Sequence, residues 1–438
     1  MDQTEALIIE TIDRHREEIL EFARDIYSHA ELGYKEFQTS GKFVKKMEQL
    51  GLRTEKGFAI TGVKAYLNED KKENASLALL GELDALRIPE HAFANPETNA
   101  AHCCGHHAQM AGVFGAALAL TVPEIAEKLD GQVVFFATPA EEYGEIEFKN
   151  QLREQGKIRY GGGKCELLRI GAFDDIDLCL THHIRPGNEI LVGSGTGNGF
   201  VSKVIRVLGK ASHAAGAPEK GVNALSAASL GLQALGLNRE TFRDEDCVRV
   251  HPIITKGGNL VNVIPDEVVV ATLVRGKTIE AFTDAAKKTD RSFKAGAIAM
   301  GAKVEISTLP GYLPTLAEEA LPELKHAAEI SATGIPVIED SGHAGGSTDV
   351  GAVQHLMPVY TFNTGGVKGG LHQIDFEVTD EEEAYIVTAK MFALAAYGLL
   401  KEKAQRSSEL VDQYEPVFKN SAEYVEFMEQ FDSTALFE

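Results

Sequence analysis

Residues 132–142 read Gln-Val-Val-Phe-Phe-Ala-Thr-Pro-Ala-Glu-Glu. A short unbroken apolar run, stopped by proline and followed by two carboxylates, is the pattern of a strand buried on both faces of a parallel sheet. Residues 77–83 have the same character, and a helical stretch at 108–120 separates the two. Outward from this pair, strands are expected at 63–67, 176–180 and 359–364. Helical spacing marks 4–25, 318–333 and 381–400. Strand alternating with helix predicts an α/β layer architecture, a mostly parallel sheet with helices on both faces.

The pattern changes in the middle of the chain. Residues 201–208 read as a strand, 222–237 as an Ala/Leu-rich helix, 248–254 and 268–274 as strands, 278–300 as a helix and 304–309 as a strand. That order, β-α-β-β-α-β, is a ferredoxin-like α+β unit, and its position makes it an insertion. The expected division is a catalytic domain in two parts, 1–197 and 313–403, around an inserted domain at 198–312. An acidic extension follows at 404–438, where accessory helices rather than sheet are expected.

Acidic residues outnumber basic ones 65 to 43, a net charge of −22, which disfavours nucleic-acid and acidic-membrane partners. An anionic substrate must then meet a local basic group. Five cysteines in 438 residues form no disulfide framework. The charged, helix-patterned start resembles no secretory leader, and the longest apolar runs fall short of the roughly 20 residues that span a bilayer. A soluble, cytoplasmic enzyme is expected.

Four segments carry residues with metal chemistry. Residues 101–107, Ala-His-Cys-Cys-Gly-His-His, follow a strand and open a helix, where open α/β sheets place ligands. Cys104 with His106 suits zinc or another transition metal. Glu141 and Glu142 end the strand quoted first. Two adjacent carboxylates ionise poorly together without a cation, and one of them is free to act as a base toward water. His182 and His183 stand at the end of a third strand, and His372 follows the fourth. No Gly-x-Ser-x-Gly elbow and no phosphate-binding glycine loop is present.

Taken in order, these segments resemble the metallopeptidase family of hippurate hydrolases, auxin–amino acid hydrolases and aminobenzoyl-glutamate hydrolases, over about residues 29–400. The resemblance rests on His29-Ala-Glu-Leu-Gly33, Gly81-Glu-Leu-Asp-Ala-Leu86, His102–His106, Pro139-Ala-Glu-Glu142, Ser212-His-Ala-Ala215, Pro218–Ala224, Gly257–Pro265 and Gly346-Ser-Thr-Asp349. It implies a zinc-exopeptidase-like catalytic domain with an inserted lid and dimerisation domain. Cys104, His106, Glu142, His183 and His372 would hold one or two divalent ions, zinc or manganese first, with cobalt or nickel as alternatives. Glu141 would be the general base, His213 would stabilise the oxyanion across a homodimer, Asn262 would assist, and Arg275 would hold the substrate carboxylate. The substrate would be an N-acyl amino acid, an aminobenzoyl-glutamate-like conjugate or a small dipeptide.

The chain also departs from the family. His107 stands where the family has Asp or Asn, Cys103 replaces a small residue, and residues 143–160 are an insert beginning at Glu142. Two rival readings follow: a hydrolase using Cys104 as nucleophile, and a non-catalytic metal- or ligand-binding subunit on the same fold.

Overall fold

A computed structural model describes residues 1–332 and 334–438. Two compact units emerge. One comprises 1–195, 316–342 and 352–421; the other comprises 196–315, 343–351 and 422–438.

The first unit is built on an eight-stranded sheet. Its order is Arg53–Phe58, Gly62–Leu67, Gln132–Thr138, Ser76–Glu82, Leu178–Ile184, Val359–Thr364, Ile190–Val192 and Val337–Glu339. The four strands from Gln132–Thr138 to Val359–Thr364 are mutually parallel. Antiparallel pairs flank them, so the sheet is mixed only outside its centre. Every residue of Ser76–Glu82 and Gln132–Thr138 is buried, as the unbroken apolar runs require.

Helix His106–Leu120 is buried along its whole length. It packs against helix Thr388–Leu400 through Gly112 and Gly115, where a Cβ would meet Thr388, Phe392 and Ala389. The stretch Glu382–Leu400 is long and apolar enough to cross a membrane, but 89% of its apolar window is buried inside the protein.

Three elements differ in detail from expectation. The helix expected over 4–25 is two helices, Gln3–Arg14 and Arg16–Ser28. The helix expected over 318–333 begins only at Pro322, with proline in its first turn, where the missing N–H costs nothing; Thr333 lies outside the described residues. The strand Leu178–Ile184 runs through both His182 and His183 rather than stopping before them.

The second unit is an antiparallel sheet. Glu267–Gly276 pairs with Gly199–Leu208 along ten residues, and Gly199–Leu208 pairs with Lys303–Pro310. Burial alternates strictly along Glu267–Gly276, the period of a strand with one covered face. Helices Ala224–Asn238 and Ile279–Met300 complete the β-α-β-β-α-β order. The strand expected at 248–254 is broken into Arg249–Val250 and Ile253–Lys256. Pro252 between them has no N–H to give the ladder.

The tail corrects an expectation. It forms helices Gln405–Gln413 and Ser421–Glu429, but then a strand, Ser433–Phe437, that pairs with Lys303–Pro310. Tyr424 and Met428 are buried and anchor it.

Candidate metal centre

The four parallel central strands deliver their C-terminal ends to one edge, and the candidate ligands stand there. Strand Gln132–Thr138 turns at Ala140, which has φ +49°. The left-handed conformation costs a non-glycine residue about 1–2 kcal/mol, so the turn needs outside support. Ala140 N donates to the buried Glu36 carboxylate at 2.8 Å, and Gly163 N donates to Ala140 O at 2.9 Å. Gly163 is tied to this role, because a Cβ there would lie 1.6 Å from Pro139 O. Burial, then the nearby Asp84, pushes the Glu36 carboxyl up to about 7.

The turn aims Glu141 and Glu142, and Asp84 fixes their backbone. Its two carboxylate oxygens accept from Glu141 N at 3.1 Å and Glu142 N at 3.0 Å. Asp84 also orients His106, whose Nδ1 lies 2.9 Å from Asp84 O and 3.3 Å from Oδ1. A histidine whose Nδ1–H is occupied this way presents Nε2 to an ion. Gly105, at φ +86°, brings Cys104 and His106 against the neighbouring strand; a Cβ would lie 2.0 Å from Ile184 Cγ2.

The ligand candidates converge. Cys104 Sγ lies 3.3 Å from His183 Nε2 and 3.3 Å from His372 Nε2. His372 Nε2 lies 2.9 Å from Glu142 Oε1. Cys104, His106 and His183 form one group with mutually close donor atoms, and Cys104, Glu142 and His372 form a second. Glu82, His106 and Glu141 form a third, with His106 Nε2 3.1 Å from Glu82 and 4.0 Å from Glu141. His372 reaches the centre from a residue at φ +62°, its backbone N donating to Cys103 O.

Strand alternation decides between the two adjacent histidines. Successive side chains point to opposite faces. His183 therefore meets Cys104, while His182 packs among Phe362, Phe392 and Thr364, its Nε2 2.8 Å from Thr364 Oγ1.

The donor set suits a cation. His106 Nε2 and Glu142 Oε1 are buried and make no well-aligned hydrogen bond; each faces another candidate ligand or carboxylate instead. Burial, then the Glu142 carboxylate, pushes the Cys104 thiol well above its ordinary range. Burial, then the charge of His106, lowers the His183 pKa, keeping its lone pair available. A thiol with such surroundings ionises when a metal supplies the charge. A thiolate, imidazoles and a carboxylate are the donors that zinc and its neighbours take.

Sequence reasoning missed Glu82, Asp84, Lys164 and Gln109 as members of this centre. Glu82 is fully buried and accepts from Gln109 Nε2 at 2.8 Å and from Lys164 Nζ. Burial disfavours its charge, but the Lys164 ammonium and His106 outweigh that and hold its carboxyl at about 2. The signal was an acidic residue ending an otherwise apolar strand. His107 is no ligand candidate here: its Nε2 lies 3.1 Å from Tyr385 Oη and its ring packs on Tyr27 and His102. Buried Cys103 stays out of the candidate groups. The insert is fastened to the site. Its helix, Ile146–Glu154, carries buried Lys149, whose Nζ donates to Glu142 O at 2.5 Å.

His213, Asn262 and Arg275 belong to the second unit. His213 Nδ1 accepts from Ala215 N and Gly216 N at 3.2 and 3.0 Å, which leaves Nε2 as the N–H of the neutral ring. Ala214 N donates to Asn262 O, so His213 and Asn262 are neighbours. Arg275 sits on Glu267–Gly276, directly opposite Phe200 and Arg249.

Cys104 contributes to two of the donor groups. Cys104→Ala should therefore lower bound metal further than His183→Ala or His372→Ala does. Elemental analysis of the purified variants checks this, and unchanged stoichiometry would remove Cys104 from the ligand set.

The mouse Xaa-Arg dipeptidase is 28% identical over 409 residues, covering 90% of this chain and 85% of its own. The Arabidopsis thaliana IAA-amino acid hydrolase ILR1-like 4 is 26% identical, covering 76% and 74%. Among solved structures, the Bacillus subtilis YXEP protein, described as a dinuclear metal binding peptidase from the M20 family, superimposes with a TM-score of 0.63 at 23% identity, over 89% of this chain and 99% of that one. An aminobenzoyl-glutamate utilization protein from Klebsiella pneumoniae gives 0.65 at 19%, over 90% and 98%. The model of peptidase family M20/M25/M40 matches residues 78–397, the stretch that carries every strand end of the centre. The chain belongs to that family of metal-dependent amidohydrolases and peptidases, and is a hydrolase of amide or peptide bonds.

Proposed function

We propose that this protein hydrolyses the amide bond of an N-acyl amino acid, an aminobenzoyl-glutamate-like conjugate or a small dipeptide. The observation that carries the reading is the approach of His183, on a central strand, and His372, on a later turn, to Cys104, with Glu142 beside His372. Relatives support the substrate class: the names Xaa-Arg dipeptidase, IAA-amino acid hydrolase, N-acetyl-L-cysteine deacetylase and p-aminobenzoyl-glutamate hydrolase all describe an amino acid released from an amide.

In this reading Cys104, His106, Glu142, His183 and His372 would hold one or two divalent ions. Bound there, an ion supplies Lewis acidity toward the attacking water and the scissile carbonyl. Glu141 takes the proton of the attacking water on its carboxylate and returns it to the leaving nitrogen. Asp84 holds Glu141 in place through its backbone N–H. From the inserted domain of a homodimer partner, His213 Nε2–H would donate to the developing oxyanion, with Asn262 as a second donor and Arg275 pairing with the substrate carboxylate in a bidentate fork. The raised pKa of Cys104 opposes its use as a nucleophile in the absence of a cation.

We also infer a cytoplasmic setting, supported by free thiols at Cys103, Cys104, Cys179 and Cys247, and a homodimer through the inserted domain, supported by the exposed Leu260 and Val261 in its Gly257–Pro265 loop. Removing metal with chelator should abolish hydrolysis across a panel of N-acyl amino acids, and adding back zinc, manganese, cobalt or nickel singly should restore it and rank the metals. Full activity after chelation, with sensitivity to thiol alkylation, would return the reading to Cys104 as nucleophile.

A further inference from the structure

We propose that the second unit carries a ligand site of its own, for a small organic anion, in the pocket between residues 239–244 and 247–251. The pocket has a volume of about 460 Å³, within the range of roughly 300–1,000 Å³ that small-molecule sites occupy. Arg239, Arg243, Arg249 and His251 line it against a single carboxylate, Asp244. Glu245 and Asp246 border the pocket and hold Arg243, so the site rests on the other two arginines, Arg239 and Arg249.

The arginines differ in what they already hold. Arg243 is paired with Glu245 at 2.9 Å and Asp246 at 3.3 Å. Arg239 and Arg249 are not paired with a carboxylate among the described residues. Arg239 Nη2 donates to Val250 O at 2.8 Å, and Arg249 Nη1 donates to Val248 O at 2.9 Å. Each guanidinium has five donors, so most of both forks is uncommitted. Arg249 also stands directly across the strand pair from Arg275, and like charges so placed destabilise a sheet. An anion seated against Arg239 and Arg249 offsets that repulsion and fills the forks bidentately.

The walls add an apolar component. Phe242, Val248 and Val250 line the same pocket, so the ligand carries an apolar body as well as an anionic head. An aryl or alkyl phosphate monoester and an aryl carboxylate share this chemistry. The limited volume of this half-open pocket suits a small molecule, and the overall charge repels nucleic acid.

Phenyl phosphate and benzoate, titrated calorimetrically into the full-length protein, test the proposal and tell the head groups apart. At least one should bind saturably with a Kd of about 1 mM or tighter. Binding should weaken about tenfold or more in Arg239→Gln/Arg249→Gln, weaken less in the double lysine variant, and weaken as salt is raised. It should persist after metal is removed with chelator. Should the double variant fail to fold, Arg239→Gln alone, at an exposed helix end, carries the same test with a smaller loss. The proposal is overturned if neither probe binds, if the variants bind like the parent protein, or if binding disappears with the metal. In the last case the metal centre is the site being occupied.

Discussion

Glu141→Gln should leave the protein folded and its metal in place while lowering turnover by about 10²–10⁴-fold, the usual contribution of a positioned general base. The amide is nearly isosteric with the carboxylate and keeps the backbone N–H that donates to Asp84. Glu141 belongs to neither of the donor groups that share Cys104, and its approach to His106 is loose at 4.0 Å. What the substitution removes is the ability to accept a proton. The loss should therefore fall on kcat with metal stoichiometry unchanged. A variant with parental kcat would end the base assignment. A variant that loses metal would instead make Glu141 a ligand, alongside Glu82 and His106.

The second large effect is on folding. Lys164→Met should destabilise the protein by about 3–5 kcal/mol, the cost of leaving one member of a buried ion pair uncompensated. Lys164 is 0% exposed and Glu82 is 2% exposed, so water cannot take over the ammonium's part. The stranded carboxylate would sit 3.1 Å from His106, at the edge of the metal centre. Lys164→Met combined with Glu82→Gln should recover much of the loss, because replacing both charges is far milder than removing one. Thermal melts of the single and double variants decide this. Equal destabilisation of the two would mean that the pair is not coupled.

Much of the site was legible because its residues stand next to unmistakable strands. Glu141 and Glu142 follow a run that can only be a buried strand, and Cys104 and His106 open a helix that is apolar on every side. The choice of His183 over His182 rested on the resemblance, since both are histidines in the same strand and composition gives no reason for it. Alternation supplies the physical reason once the strand is known to run through both. Asp84 and Glu82 stand in the Gly81–Leu86 motif, but their roles do not show there, because their partners lie distant in sequence: Glu141, Glu142 and His106 for one, Lys164 and Gln109 for the other. Short-range pattern likewise placed the inserted strands and helices but extended one strand across Pro252. The edge strand Ser433–Phe437 was invisible for a related reason. Four of its five residues are exposed, so it has no hydrophobic alternation to read, and its partner lies far earlier in the chain.

That last strand has a consequence for the order of events during synthesis. The sheet of the inserted unit gains its last edge from residues 433–437, which leave the ribosome long after Lys303–Pro310, the segment they cover. Until then a row of unpaired N–H and C=O groups on Lys303–Pro310 is open to pairing with another nascent chain. Contacts this distant in sequence close slowly. The interval between emergence and closure is thus a period in which this edge is open to co-translational pairing, and it is set by translation speed and closure rate rather than by the stability of the finished protein.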